Sequence, residues 1–370
     1  MVSSYYALAM PSKIRSIEAR LRQEIIDQGD ISLSHFWREA MTAADSGYYT
    51  NTAPIGEDGD FITAPEVSQI FGELIGLWLA DNWVKIGSPP NFDLVELGPG
   101  RGQLMVDALR ATKSVPGFLS AAQLLLVEVS KPFRAMQADR LRKYSPSWQK
   151  DWQKITDGDA PLFLIANEFL DALPICQFEL SSKGWEERRI IWNGHAFEFN
   201  NTLTANPPET KIFPSAPIGA VVEVSEERDA LVDAVSKRIA RTGGAALFID
   251  YGFSTNKLGD SLQAILKGKP VNPLSNPGLA DLTSHVNFSS VADKVEAAGA
   301  VSYGPVDQGV FLLRLGAEVR ANQLAATATA EKNVLMRQSL KRLVHPLEMG
   351  GLFKALAILP PGSHKPAGFD

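Results

Sequence analysis

Apolar side chains recur at Ile14, Ile17, Leu21 and Ile25 among charged ones, and that three-to-four spacing predicts an amphipathic helix over Ser12–Gln28, ended by Gly29. A second short helix is expected from Leu33 to Ala44, with Leu33, Phe36, Trp37 and Met41 inward. From Pro65 the positions Val67, Ile70, Phe71, Leu74, Ile75, Leu77 and Trp78 predict one long apolar helix, with proline at a tolerated early position. These helices read as an N-terminal cap. Later come four continuous apolar runs: Asp93–Leu97, Leu124–Val129, Leu162–Ala166 and Ala245–Ile249. Such runs, separated by helical stretches, are the pattern of a parallel sheet covered on both faces. They carry polar residues at their C-terminal ends: Glu96, Glu128, Asn167-Glu168 and Asp250. Open α/β sheets bind ligands beyond those ends, so the four endings are expected to converge on one crevice.

Between Ile175 and Glu223 the texture changes to alternation, and the Asn193-Gly194 pair is a strong hairpin signal, so an antiparallel insertion is expected over the crevice. Ser225–Ala240 returns to a helix, and Val286–Ala298 contains another that Gly299 ends. Val310–Leu315 reads as a closing strand, and the tail Gly362–Asp370 as frayed. The expected organisation is a helical cap over residues 1–90 and an α/β core over 91–370, with a β-rich insertion at 175–223.

The turn after the first run narrows the chemistry. Glu96-Leu97-Gly98-Pro99-Gly100-Arg101-Gly102 leads from strand to helix with glycine at alternate positions. Such glycines admit positive φ and close approach of a ligand, and the following helix offers free N–H groups. A dinucleotide fingerprint needs glycine at the first, third and sixth positions, and the sixth here is Gln103, so NAD is the minor alternative. The spacing of Gly98, Gly100 and Gly102, with Glu96 before them, instead resembles motif I of class I S-adenosylmethionine (SAM) methyltransferases.

Composition removes other classes. The net charge of −6 argues against a nucleic-acid partner, which calls for a basic face. No apolar run reaches bilayer length, so no membrane insertion is expected. Cys176 is the only cysteine, which rules out an internal disulfide and a thiolate zinc cluster. The five histidines show no ligand spacing, and no metal is expected. Met1–Met10 lacks both a basic n-region and presequence arginines, so cytoplasmic residence is the expectation.

Glu128, at a strand end, suits both hydroxyls of a ribose, in a SAM site as in an NAD site. Glu96 either holds the ammonium end of a methionine moiety, directly or through water, or caps the neighbouring helix. Methyl transfer from a sulfonium is an in-line displacement that needs alignment and exclusion of water. A guanidinium or ammonium acceptor needs carboxylates to grip it. Glu168 and Asp171 are the candidates, with Glu66 or Glu187 as helpers; for Asp171 a helix cap is an equal alternative. His285 is either a base or acceptor clamp, or a histidine satisfied by a capping bond. The loop from Tyr48 to Glu66 has the polar, aromatic make-up of ligand-contacting loops, although composition alone favours a solvated connector.

Several segments together resemble the MidA-like SAM-dependent methyltransferases, whose mitochondrial members assist assembly of respiratory complex I. They are Gly59–Gln69 with Phe71-Gly72-Glu73, the turn Glu96–Gly102, Asn167–Pro174, Asp250-Tyr251-Gly252, Leu262-Gln263-Ala264, Ala280–Thr283 and Gln308-Gly309 with Phe311-Leu312. Similarity runs from about Ile14 to Leu359. The resemblance implies a class I, Rossmann-like core with SAM as cofactor, bound by Thr63, Pro65, Glu66, Glu96, Gly98, Gly100, Gly102, Glu128 and Asn167. It implies a protein substrate methylated on arginine: a complex I (NADH dehydrogenase) subunit in mitochondrial relatives, whose matrix a eukaryotic chain would share, and its equivalent in bacteria. Homodimerisation is left open. Two departures touch the acceptor side: Asn287 stands where an aspartate is expected, and Lys267–Pro277 is proline- and lysine-rich where a histidine is usual. Rival readings are a SAM-binding assembly factor without catalysis and a small-molecule methyltransferase.

Overall fold

In the computed structural model, which describes residues 12–44, 46–51, 63–204 and 213–370, the four apolar runs form strands side by side. They are β1 (Phe92–Leu97), β2 (Ala122–Val127), β4 (Leu162–Asn167) and β5 (Gly244–Phe253). With β3 (Ser147–Gln149), β6 (Val301–Asp307) and β7 (Phe353–Leu359) they give the order β3-β2-β1-β4-β5-β7-β6. β1 pairs in parallel with both β2 and β4, while β7 runs antiparallel to β5 and β6. The chain leaves β1 toward one edge and returns at β4 toward the other, so the crevice between β1 and β4 is the switch point where such sheets bind ligands.

Alternation along the strands fills both faces. Leu94, Phe163 and Ile165 enter a core with the helices Gln69–Lys85 and Gln103–Ala111. Val95, Leu164 and Ala166 enter a second core with Glu226–Thr242 and Phe288–Ala297. Helix Gln69–Lys85 approaches its neighbour so closely that a Cβ on Gly76 would lie 2.5 Å from Ala108 Cα. A third core joins the helices Ser12–Gln28 and Leu33–Thr42 to the insertion, through Ile17, Leu21, Phe36, Trp37, Ile190 and Phe197. The insertion is antiparallel as expected, and Asn193 Oδ1 closes its hairpin by accepting from the His195 and Ala196 N–H groups at 2.8 and 2.9 Å. Among the described residues, no helix is long and apolar enough to cross a membrane.

Several expectations need correction. The helix expected from Pro65 is two helices, Ala64–Val67 and Gln69–Lys85, because Ser68 is extended and its hydroxyl caps the Ile70 N–H at 3.3 Å; Leu77 is exposed. Val310–Leu315 is no strand. Gln308–Arg314 is a helix burying Gln308, Phe311 and Leu312, the one-turn spacing that a short apolar run does not reveal; the closing strand is β7. Asp281–Thr283 is a short strand that precedes the helix beginning at Phe288. The tail is docked: Phe369 is buried and the Ala367 carbonyl accepts from Trp78 Nε1 at 3.1 Å. Asn287 does an aspartate's capping work, accepting from the Ser290 N–H at 3.3 Å. Met1–Met10, the Ile14 side chain and the Gly59–Ile62 part of the family-like segment lie outside the described residues.

Candidate functional site

β1 delivers Glu96 to the crevice and then turns through Gly98, Gly100 and Gly102, with φ of +61°, +51° and +78°. L side chains rarely adopt that region, so glycine here is required by the backbone. The turn is pinned on two sides. The Gly98 N–H donates to the Val127 carbonyl at 2.9 Å, and Gln137 Nε2 donates to the Gly100 carbonyl at 2.7 Å. Gln137 is fully buried; it also donates to Glu128 Oε2 at 3.2 Å and accepts from Trp148 Nε1 at 2.8 Å. The end of β2 is thereby wired to the turn after β1. Sequence reading missed Gln137, since a lone glutamine on a charged helix carries no local signal.

Burial pushes the Glu96 carboxyl up to about 8, helped by the neighbouring Glu128 charge, and burial pushes Glu128 to about 7 against the hydrogen bonds from Ser130 and Gln137. Glu96 Oε2 and Asn167 Oδ1 are buried without a hydrogen-bond partner among the described residues. Buried polar atoms are normally satisfied, so these two are open for a ligand. Thr63, Pro65, Glu66, Glu96, Gly98, Gly100, Asn167 and Glu168 line one cleft with Arg101. The structure therefore brings together nearly all the sequence-predicted cofactor residues. Gly102 and Glu128 do not line it: Gly102 opens the helix Gln103–Ala111, and Glu128 accepts from the Ser130 N–H at 2.8 Å.

On the opposite wall Glu168 has φ +51°, unusual for a side-chain-bearing residue. Its Oε1 accepts from the Ala64 N–H at 3.0 Å and Asn167 Nδ2 at 3.2 Å, and burial raises its carboxyl to about 7. Behind it lies a second acid, Asp171, raised by burial to about 6, with Oδ1 unpartnered among the described residues and a hydrogen bond to the Tyr251 hydroxyl. Asp250 Oδ2 accepts from the Leu170 and Asp171 N–H groups at 2.9 and 3.1 Å, so β5 fixes the turn after β4. The buried Arg228 guanidinium reaches the Leu170 carbonyl at 2.8 Å. Sequence reading noted Asp250 as a strand-end acid and missed Arg228 and Tyr251, which reach this turn from distant elements.

Two candidates lie elsewhere. His285 stacks edge-on against Tyr251, takes a backbone bond to Ser261 Oγ at 2.9 Å, and faces a separate cavity of about 570 Å³ also lined by Glu223, Arg228 and Asn287. Burial lowers its imidazole, seconded by Lys257. Glu187 is engaged on the insertion by Arg189 Nη1 at 3.2 Å.

A sheet of this order, with a glycine turn and two carboxylate walls at its switch point, defines a class I SAM-dependent methyltransferase. A sequence model of one family, described as "Putative S-adenosyl-L-methionine-dependent methyltransferase", matches residues 74–306. The chain belongs to this family. It is similar to "Protein arginine methyltransferase NDUFAF7 homolog, mitochondrial" of Drosophila melanogaster, 36% identical over 377 residues covering 93% of this chain and 85% of that one. It is 34% identical to "Protein arginine methyltransferase NDUFAF7, mitochondrial" of Homo sapiens, over 92% of this chain and 82% of that protein. A crystal structure from Burkholderia thailandensis, a COG1565 superfamily member and likely methyl transferase bound to S-adenosyl-homocysteine, superposes with a TM-score of 0.83 at 27% identity, covering 97% of this chain and 94% of that one.

Proposed function

We propose that this chain methylates an arginine of a protein substrate, a subunit of respiratory NADH dehydrogenase or its bacterial equivalent, in the cytoplasm or, for a eukaryotic chain, the mitochondrial matrix. The observation that carries the reading is the placement of Glu168 in the same cleft as Glu96 and the glycine turn, with Asp171 close behind it. The names of the arginine methyltransferase relatives support the choice of acceptor.

In this reading Glu96, the three glycines, Glu128, Asn167 and the segment Thr63–Glu66 hold the cofactor, which supplies an electrophilic methyl carbon. Glu168 grips the acceptor guanidinium and Asp171 adds negative potential behind it. The transfer forms an N–C bond while the S–C bond breaks, and one proton must leave the guanidinium nitrogen for the product to remain a monocation. A carboxylate with a pKa near 7 takes up that proton at neutral pH. Buried at the cleft wall, Glu168 acts where water competes least.

The test incubates the purified chain with methyl-labelled SAM and NADH dehydrogenase from cells lacking it, followed by peptide mass spectrometry. The expected result is label on one arginine. Label confined to small molecules or to another residue type would overturn the acceptor; cofactor binding with no transfer to any substrate would favour the assembly-factor reading.

A further inference from the structure

The cleft is unbalanced in charge. Glu66, Glu96 and Glu168 contribute three carboxylates to its lining, and Arg101 is its only cation among the described residues. Arg101 stands between Gly100 and Gly102, both at positive φ, in a turn fixed by Gln137 and Val127. Its Nε is buried and has no hydrogen-bond acceptor among the described residues. A guanidinium N–H withdrawn from water without an acceptor is costly, and such a group is kept where a ligand completes it.

The methionyl end of SAM carries three charged groups. The sulfonium and ammonium are cationic and match Glu66 and Glu96, with Glu168 left for the acceptor. The carboxylate needs a donor, and a planar guanidinium fork is the side chain best suited to it. We infer that Arg101 clamps the methionyl carboxylate of the cofactor and so makes the cleft selective for the intact amino-acid end. The inference rests on the SAM reading of the cleft. Arg342, on the helix Ala330–Val344, acts on Glu168 from a distance but does not line the cleft, so it is the rival cation to control.

The discriminating ligand is decarboxylated SAM, which lacks only the carboxylate. Titration calorimetry on the full chain is expected to show SAM binding about 10- to 100-fold tighter than decarboxylated SAM, the range of a charge-assisted pair. Arg101→Gln should abolish that preference by weakening SAM alone, whereas Arg342→Gln should keep it. If thermal melting shows that Arg101→Gln does not fold, Arg101→Met carries the same comparison. A preference that survives loss of Arg101, or one that vanishes with Arg342 instead, overturns the clamp. Equal wild-type affinity for the two ligands also overturns it while leaving the SAM reading intact. Wild type that binds neither ligand ends the SAM reading and the clamp together.

Discussion

Glu168 Oε1 accepts a hydrogen bond from the Ala64 N–H at 3.0 Å, tying the end of β4 to a helix turn 104 positions earlier. The bond fixes the acid at the cleft wall in a sparsely populated backbone conformation, the kind of local strain found at working sites. Glu168→Gln keeps the shape and removes the proposed base. Methyl transfer is expected to fall by at least about 100-fold with little change in SAM affinity, read by initial rates and calorimetry. The wild-type rate should rise with pH through about 7 as the carboxyl ionises, and that rise should be absent in the variant. Equal loss of SAM binding would instead place Glu168 on the cofactor.

The second prediction concerns the cofactor wall. Burial raises Glu96 to about 8 and Glu128 to about 7, so at neutral pH the free protein holds protons there that the unfolded chain has lost. An ammonium docking on Glu96 favours the ionised form. SAM binding should therefore release a proton, and affinity should tighten as pH rises through about 8. Calorimetry in buffers of different ionisation enthalpy measures that proton directly. The sign for stability is opposite. Folded pKa values above the unfolded ones make the contribution of these groups fall as pH climbs from about 4.5 to 8, so the ligand-free protein should melt lower at the alkaline end. Glu96→Gln should flatten both trends, and trends unchanged in the variant would remove Glu96 from the account.

Arg238 supports the third. Its buried guanidinium, on helix Glu226–Thr242, bridges the Asp93 carboxylate at the start of β1, the Ile155 carbonyl and the Ala160 carbonyl. Removing it leaves several buried acceptors unpaired. Arg238→Ala should destabilise by about 3 to 5 kcal/mol in urea unfolding. SAM affinity of the fraction that remains folded should be unchanged, because the contact lies at the N-terminal end of β1, away from the crevice. A loss below about 1 kcal/mol would show that water replaces the bridge.

How far the chain discloses its own architecture depends on whether each signal is local. The four strands, the glycine turn and the helices that follow Ser225 and Asn287 are written in contiguous residues, and all are found where their patterns place them. The cleft residues at strand ends follow from the same logic. What the pattern does not disclose has two sources, competing local signals and distant partners. Ser68 interrupts an otherwise unbroken apolar periodicity, since capping competes with helix continuation and periodicity cannot weigh the two. Phe311 and Leu312 sit in a run too short to separate strand from helix. Arg228, Gln137 and Arg238 act across dozens of positions, and His285, whose polar surroundings in the sequence leave its role open, lines the neighbouring cavity.

The C-terminal segment illustrates the same limit and yields the last prediction. Gly362–Asp370 is rich in glycine and proline and offers one large apolar residue, so composition describes a loose end. Yet Phe369 is buried with its ring centroid 5.1 Å from that of Phe311, the Ala367 carbonyl accepts from Trp78, and the Ser363 carbonyl accepts from the Tyr303 hydroxyl at 3.1 Å. The segment thus closes over the core beneath helix Gln308–Arg314, covering Phe311 and Trp78. Phe369→Ala opens a cavity beside Phe311 and should cost about 3 kcal/mol, measured by urea unfolding. Trp78→Phe, which removes the indole donor and also leaves ring volume unfilled at a fully buried site, should cost about 2 to 4 kcal/mol. A Phe369→Ala loss below about 0.5 kcal/mol, the level of an ordinary surface change, would mean that the segment is frayed in solution after all.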